Sequence, residues 1–106
     1  MEQAFLPTPA MAYTFQPQLN EAEARVYVAA AFRPGVADLP AEMVADVLRT
    51  DGRARAQLAG SIAPGGYRDE VAVVRELKRP FAVLHGAQEQ LVNGDYFGTL
   101  TMPTLW

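Results

Sequence analysis

The chain has 106 residues, half of them apolar, with nine basic and twelve acidic side chains spread along it, which is typical of one small globular domain. No basic stripe is present to neutralise phosphates, so we expect no nucleic-acid partner. The lack of cysteine excludes disulfides, thiolate metal sites and cysteine nucleophiles, and with a single histidine we expect no metal centre.

The N-terminal segment carries neither a secretory signal pattern nor the start of a membrane span. Residues 1–12 lack a basic start and a continuous apolar core, and nowhere does the chain reach about twenty apolar residues in a row. We therefore expect a cytoplasmic protein with no membrane partner. The stretch FLPTPAMAYTF, Phe5 to Phe15, is rich in apolar side chains, and its prolines prevent one continuous helix. It either packs across a core or lines a binding cavity.

Two helices are predicted next along the chain. Asn20 and Glu23 have the spacing of a capping box, which predicts a helix from about residue 21 to 32. Pro40, in the first turn of the second predicted helix, is followed by apolar residues at spacings of four through Leu48. This is the clearest helical period of the sequence.

Two further helices precede a short apolar run. The periodicity of residues 53–62 predicts a third helix, which the Pro-Gly-Gly sequence at 64–66 ends, and a fourth is predicted over about 69–77. The continuous apolar run that follows predicts a short buried strand at about 81–85. A lone strand cannot satisfy its own backbone groups, so it either pairs weakly near the termini or belongs to a sheet outside this chain.

The segment PFAVLHGAQEQLV, residues 80–92, resembles the strand and acid loop near the C-terminal end of α/β-hydrolase fold enzymes. In that family the strand ends in glycine, and a carboxylate three residues later orients the catalytic histidine. Gly86 and Glu89 have this spacing. The helices between Asn20 and Ile62 resemble the helical cap that many of these enzymes insert between nucleophile and acid.

The resemblance implies a partial α/β hydrolase that is mainly α-helical, with three to four cap and connecting helices, one short strand and a final short helix. Residues 1–66 would form a cap or lid-like region, and residues 67–106 the connecting helix, strand and acid loop, in one compact unit. The final helix is expected within residues 93–100, capped by Asn93. The apolar end at Leu105 and Trp106 is interpreted as a truncation.

The resemblance gives Glu89 the position of the triad acid, although the family more often has aspartate there; an ordinary exposed loop carboxylate is the alternative. The rest of a triad is missing, because no histidine follows Glu89. His85 precedes the acid and is interpreted as a strand histidine. Ser61 follows a helical period, whereas an elbow serine follows a strand. We therefore expect this chain alone to be inactive, without a cofactor, and to depend on the remainder of a parent hydrolase.

In the parent, the resemblance implies hydrolysis of an ester, amide or related small molecule through a covalent ester on serine or aspartate. The cap would then cover a small, largely apolar substrate. Five residues are candidates for lining its pocket, although side chains of this kind are more often core residues than ligand contacts: Met11, Tyr13, Phe15, Phe32 and Met43. A small helical interaction module whose strand adds to a partner's sheet is the alternative from another class. A metal enzyme is disfavoured, because the acidic residues show no ligand spacing.

Overall fold

The computed structural model of the protein describes residues 2–62 and 67–100. A single turn of 3-10 helix at Glu2–Ala4 comes first. Six α-helices follow within the described ranges: α1 Pro9–Tyr13, α2 Glu21–Ala29, α3 Ala41–Arg49, α4 Gly52–Ser61, α5 Glu70–Glu76 and α6 Gly94–Phe97. The mainly α-helical class predicted from the sequence is confirmed. The predicted helix stop at 64–66 and the chain end at 105–106 lie outside the described residues.

The N-terminal segment is divided by its prolines, as predicted. Pro9 is the first residue of α1, where its fixed φ suits a helix and its missing N–H is not needed. The hydroxyl of Thr8 caps this helix by accepting from the main-chain N–H of Met11 at 3.3 Å. The helix packs against α2 and buries Ala10.

Helices α2 and α3 pack against each other and form the centre of the core. The capping box at the start of α2 is confirmed: Asn20 Oδ1 accepts from Glu23 N at 2.9 Å, and Glu23 Oε2 accepts from Asn20 N at 2.8 Å. Helix α2 ends at Ala29, three residues before the predicted end. The buried cluster is small, with partly buried apolar residues around it: Ala24, Val28 and Val44, with Phe32, Leu39 and Val47.

Each of the last three helices begins at a side-chain cap. Asp51, Asp69 and Asn93 accept hydrogen bonds from main-chain N–H groups in the first turns of α4, α5 and α6. The predicted cap at Asn93 is therefore confirmed. Helix α4 is docked on the segment that joins α1 to α2, because the Arg55 guanidinium donates to Gln16 O at 2.8 Å and to Pro17 O at 3.2 Å.

The short buried strand predicted at 81–85 is not formed with any described part of the chain. No main-chain hydrogen bond joins residues 81–85 to the other described residues, and Leu84 is 97% exposed. A strand forms only beside a partner that satisfies its backbone, and the described residues provide no such partner for this segment. The available N-terminal segment pairs with residues 91–93 instead.

That pairing is a short antiparallel contact centred on Phe5 and Val92. Leu6 N donates to Leu91 O at 2.8 Å, and Asn93 N donates to Ala4 O at 2.9 Å. The side-chain amide of Asn93 adds a bond to Gln3 O at 3.1 Å. The N-terminus thereby fixes the chain directly after Glu89.

The described residues bury few large apolar side chains. The buried apolar residues among those described are all alanine or valine, whereas several large side chains, Leu58 and Val73 among them, remain more than two-fifths exposed. The radius of gyration is 16.0 Å, against about 13 Å for a compact domain of this length. None of the described helices combines the length and the hydropathy that crossing a membrane requires.

Candidate functional site

Glu89 lies in a tight turn that holds its carboxylate in place. Its main-chain N–H donates to Gly86 O at 3.1 Å, which closes the turn. One carboxylate oxygen, Oε1, accepts from Leu91 N at 2.9 Å and from Val92 N at 3.4 Å. The spacing from Gly86 to Glu89 that the sequence singled out is thus a structural unit. The second oxygen, Oε2, has no protein donor among the described residues, and the residue is exposed.

Gln90 connects this turn to the end of helix α2. Its side-chain amide nitrogen donates to Phe32 O at 2.7 Å and to Ala29 O at 3.2 Å. Ala29 ends the helix and Phe32 follows it. Ala29 O also accepts from Phe32 N at 3.1 Å, whereas no described main-chain N–H donates to Phe32 O. Both N–H groups of the amide are used, one for each carbonyl.

An open cavity of about 320 Å³ lies between the end of α2 and the Glu89 turn. One wall is formed by Ala30 to Arg33 and the other by Gly86 to Glu89. The cavity brings two of the residues selected from the sequence together: Phe32, a candidate lining residue, and Glu89, the candidate acid. Its lining residues therefore include an aromatic residue, Phe32, a basic one, Arg33, and an acidic one, Glu89.

A second cavity, of about 310 Å³, lies between α2 and α3 and reaches Leu91. Met43 contributes to its lining, together with Val47 and the rim residues Asp46 and Thr50. The other three candidates, Met11, Tyr13 and Phe15, are partly buried around α1 and line neither of these two cavities. The five candidate lining residues are thus distributed over three places.

His85 does not pair with Glu89 in the described structure. Its Nε2 lies 3.4 Å from Val92 O, and its ring meets Phe97 edge-on at a centroid distance of 5.1 Å. A side chain on Gly94 would come within 3.1 Å of that ring, so the histidine is packed at the start of α6. This packing gives His85 a local structural role.

Ser61 is the last residue of α4 and donates its hydroxyl to Leu58 O at 2.8 Å. It therefore stands at a helix end, and no strand leads into it within the described residues. Neither Ser61 nor His85 forms a described hydrogen bond with Glu89. The described residues bring together the candidate acid, Glu89, and part of a pocket.

The resolved shifts in pKa lie away from this cavity. The Arg53 side chain donates to the Asp51 carboxylate and lowers the pKa of Asp51, and the same contact raises the pKa of Arg53. The pair is on the surface at the start of α4, so it supports a helix end. No cluster of three or more potential metal ligands occurs in residues 2–62 and 67–100.

Sequence reasoning missed Gln90 and Arg55, which make the long-range contacts of the loops. Both act through hydrogen bonds to carbonyls of residues far away in the chain, and such contacts leave no local pattern. A comparison of the chain with protein-family models, curated proteins and solved structures gave no match.

Proposed function

We propose that this chain supplies the substrate-covering cap and the triad acid of a cytoplasmic α/β-fold hydrolase, with Glu89 as that acid. The nucleophile and the catalytic histidine come from the remainder of the parent enzyme, and the chain alone is inactive. The observation that carries the proposal is the cavity that Phe32, just after a helix of the cap-like region, lines on one side and Glu89 on the other. A cap over an acid loop would enclose substrate at such a place.

The hydrogen bonding of the Glu89 carboxylate supports its role as the triad acid. Oε1 is fixed by the main-chain N–H groups of Leu91 and Val92, while Oε2 is free of described protein donors. A triad acid needs this division, because it must be held rigidly and still accept a hydrogen bond from the histidine Nδ1–H. Accepting that bond fixes the tautomer of the imidazole and stabilises its charged form.

The segment before Gly86 is a second support. It is apolar in sequence, its backbone has no main-chain partner among the described residues, and Leu84 is almost fully exposed. In the proposed parent, this segment pairs as a strand with a sheet that the rest of the enzyme provides. That pairing would cover Leu84 and satisfy the free backbone groups.

The chemistry that follows is hydrolysis of a small, largely apolar ester or amide through a covalent ester on serine or aspartate. Phe32 offers an apolar surface on the cap side of the cavity, and Glu89 acts from the opposite side through the histidine. No metal or cofactor is needed for this reaction, since the histidine activates the nucleophile or the attacking water.

The coding sequence on both sides of the chain provides the test. We expect a glycine-flanked serine or aspartate at a strand-to-helix turn upstream and a histidine downstream. Stop codons at both ends, with no partner gene that encodes these elements, would contradict the proposal. The isolated chain should not hydrolyse p-nitrophenyl esters above background. Turnover that depends on Glu89 in the isolated chain would contradict its predicted inactivity.

A helical protein-interaction module is the second candidate, and the exposed apolar side chains favour it. Among the large ones are Phe5, Val26, Met43, Leu48, Leu58 and Val73. Exposed apolar area of this kind marks either a binding surface or a fold that awaits its remainder. Sedimentation and thermal melting distinguish the two: a complete module melts sharply as a monomer, whereas a hydrolase segment is aggregation-prone or molten.

A further inference from the structure

The hydrogen bonds of Gln90 form the described link between the acid turn and the cap-like helix α2. Its amide nitrogen reaches Phe32 O and Ala29 O, residues 58 and 61 positions away in the chain. No other hydrogen bond between the 86–93 segment and α2 is present in the described part of the chain. The side chain is partly buried at this contact.

In the chain, Gln90 lies between the candidate acid and the main-chain N–H groups that hold it. Glu89 precedes it, and the main-chain N–H groups of Leu91 and Val92, which donate to Glu89 Oε1, follow it. On the far side, Leu91 O and Asn93 N are bonded to the N-terminal segment. The turn is therefore held from two directions, and only the Gln90 contact involves α2.

We propose that Gln90 is a positioning residue, which couples the placement of the Glu89 carboxylate to the end of the cap helix α2. This inference rests on the proposed function. A hydrogen bond of 2.7 Å weakens steeply when its partners shift or tilt, so movement of the α2 end changes the geometry of the turn. Placement of the cap over substrate and alignment of the acid then occur together.

Two substitutions separate the hydrogen bonds of Gln90 from its shape. Gln90→Glu keeps the size but removes both donors and places a negative charge against the carbonyl end of a helix, where it is unfavourable. Gln90→Lys keeps donors and adds a positive charge, which suits the same position. Gln57→Glu, an exposed change of the same kind on α4, serves as the control.

The test uses the complete parent enzyme and measures kcat, KM and the pH profile of kcat/KM. We expect Gln90→Glu to lower kcat on the order of 10- to 100-fold, the cost of a misplaced catalytic group. The acid limb of its profile should move to lower pH, because a misaligned Glu89 no longer favours the charged histidine. Gln90→Lys and Gln57→Glu should stay within about threefold of the unsubstituted enzyme, since both leave the donors at position 90 in place.

Three outcomes would overturn the inference. Unchanged kcat and pH profile in Gln90→Glu would show that the link does not position the acid, and an equal loss in Gln90→Lys would show that its donors are irrelevant. Should Gln90→Glu fail to fold, Gln90→Met, which removes the donors without adding charge, must show the same shift of the acid limb. An unshifted limb would refute the inference.

Glu89→Gln, measured in parallel, distinguishes this inference from the proposed function. If Glu89→Gln abolishes turnover while the substitutions at position 90 have no effect, only this inference fails. If Glu89→Gln also has no effect, the proposed function fails.

Discussion

The main-chain oxygen of Pro17 occupies the space that a side chain on Gly52 would need. Gly52 is the first residue of α4, and one turn later Arg55 donates to the carbonyls of Gln16 and Pro17. The start of α4 is therefore pressed against the segment between α1 and α2. A residue without a side chain is required at this contact for steric reasons.

We predict that Gly52→Ala destabilises the fold, because the added methyl group meets rigid backbone and must separate α4 from Pro17. The expected loss is about 1–3 kcal/mol, the usual cost of overpacking. Gly60→Ala in the same helix is the matched control, since the space around Gly60 is empty. That change should stabilise by about 0.5–1 kcal/mol through helix propensity. Because the isolated segment is expected to be aggregation-prone or molten, the effects of these and the following substitutions are measured by urea unfolding of the complete proposed parent, followed by circular dichroism. Equal midpoints for the two glycine variants would contradict the contact.

The packing of α2 on α3 predicts unequal effects of two valines in α2. Val28 is 3% exposed within the core cluster, whereas Val26 is 45% exposed. Val28→Ala should cost about 1.5–2.5 kcal/mol, from the lost methyl groups and the cavity left behind. Val26→Ala should stay within about 0.5 kcal/mol. Similar losses for both would mean that α2 presents another face to α3.

The Asp51–Arg53 pair predicts a dependence of stability on pH. Because Arg53 donates to the carboxylate, the pKa of Asp51 lies below its ordinary value of 3.8 in the folded protein. A lowered pKa contributes stability that is complete above the unfolded value and is lost as pH falls through the folded one. Asp51→Asn should therefore reduce the urea midpoint more at about pH 6 than at about pH 3.

Asp38→Asn serves as the control for that experiment, since Asp38 has no described hydrogen bond and is exposed. Its effect on the midpoint should be small at both pH values. If Asp51→Asn lowered the midpoint equally at both, the Arg53 contact would not govern the acid side of stability.

The starts of α2, α5 and α6 could be predicted from the sequence because their signals are local. Asn20 with Glu23, Asp69 and Asn93 lie within three residues of the N–H groups that they cap, so spacing alone indicates them. Thr8 before Pro9 is an N-cap signal of the same kind, and it would have predicted α1.

The apolar run at 81–85 shows that a local sequence pattern alone does not determine whether a strand forms. Its composition is typical of a buried strand, yet burial and pairing depend on a neighbour that the described chain does not provide.

The candidate site likewise depends in part on contacts between residues that are distant in the chain. The resemblance singled out Gly86 and Glu89, which the structure places in one local turn. The approach of Phe32 to that turn depends instead on the Gln90 contacts, which join positions 58 and 61 residues apart.

The proposed role of Glu89 is tested most directly by the turnover of the proposed parent enzyme with Glu89→Gln. Glutamine keeps an oxygen for the N–H groups of Leu91 and Val92, so the turn should persist while the negative charge is lost. Glu76→Gln, at the exposed end of α5, controls for the loss of a surface charge. We predict that Glu89→Gln lowers kcat by on the order of 10³- to 10⁴-fold, as expected for a triad acid, and that Glu76→Gln has no effect. Retention of full turnover by Glu89→Gln would contradict the assignment of Glu89 as the triad acid.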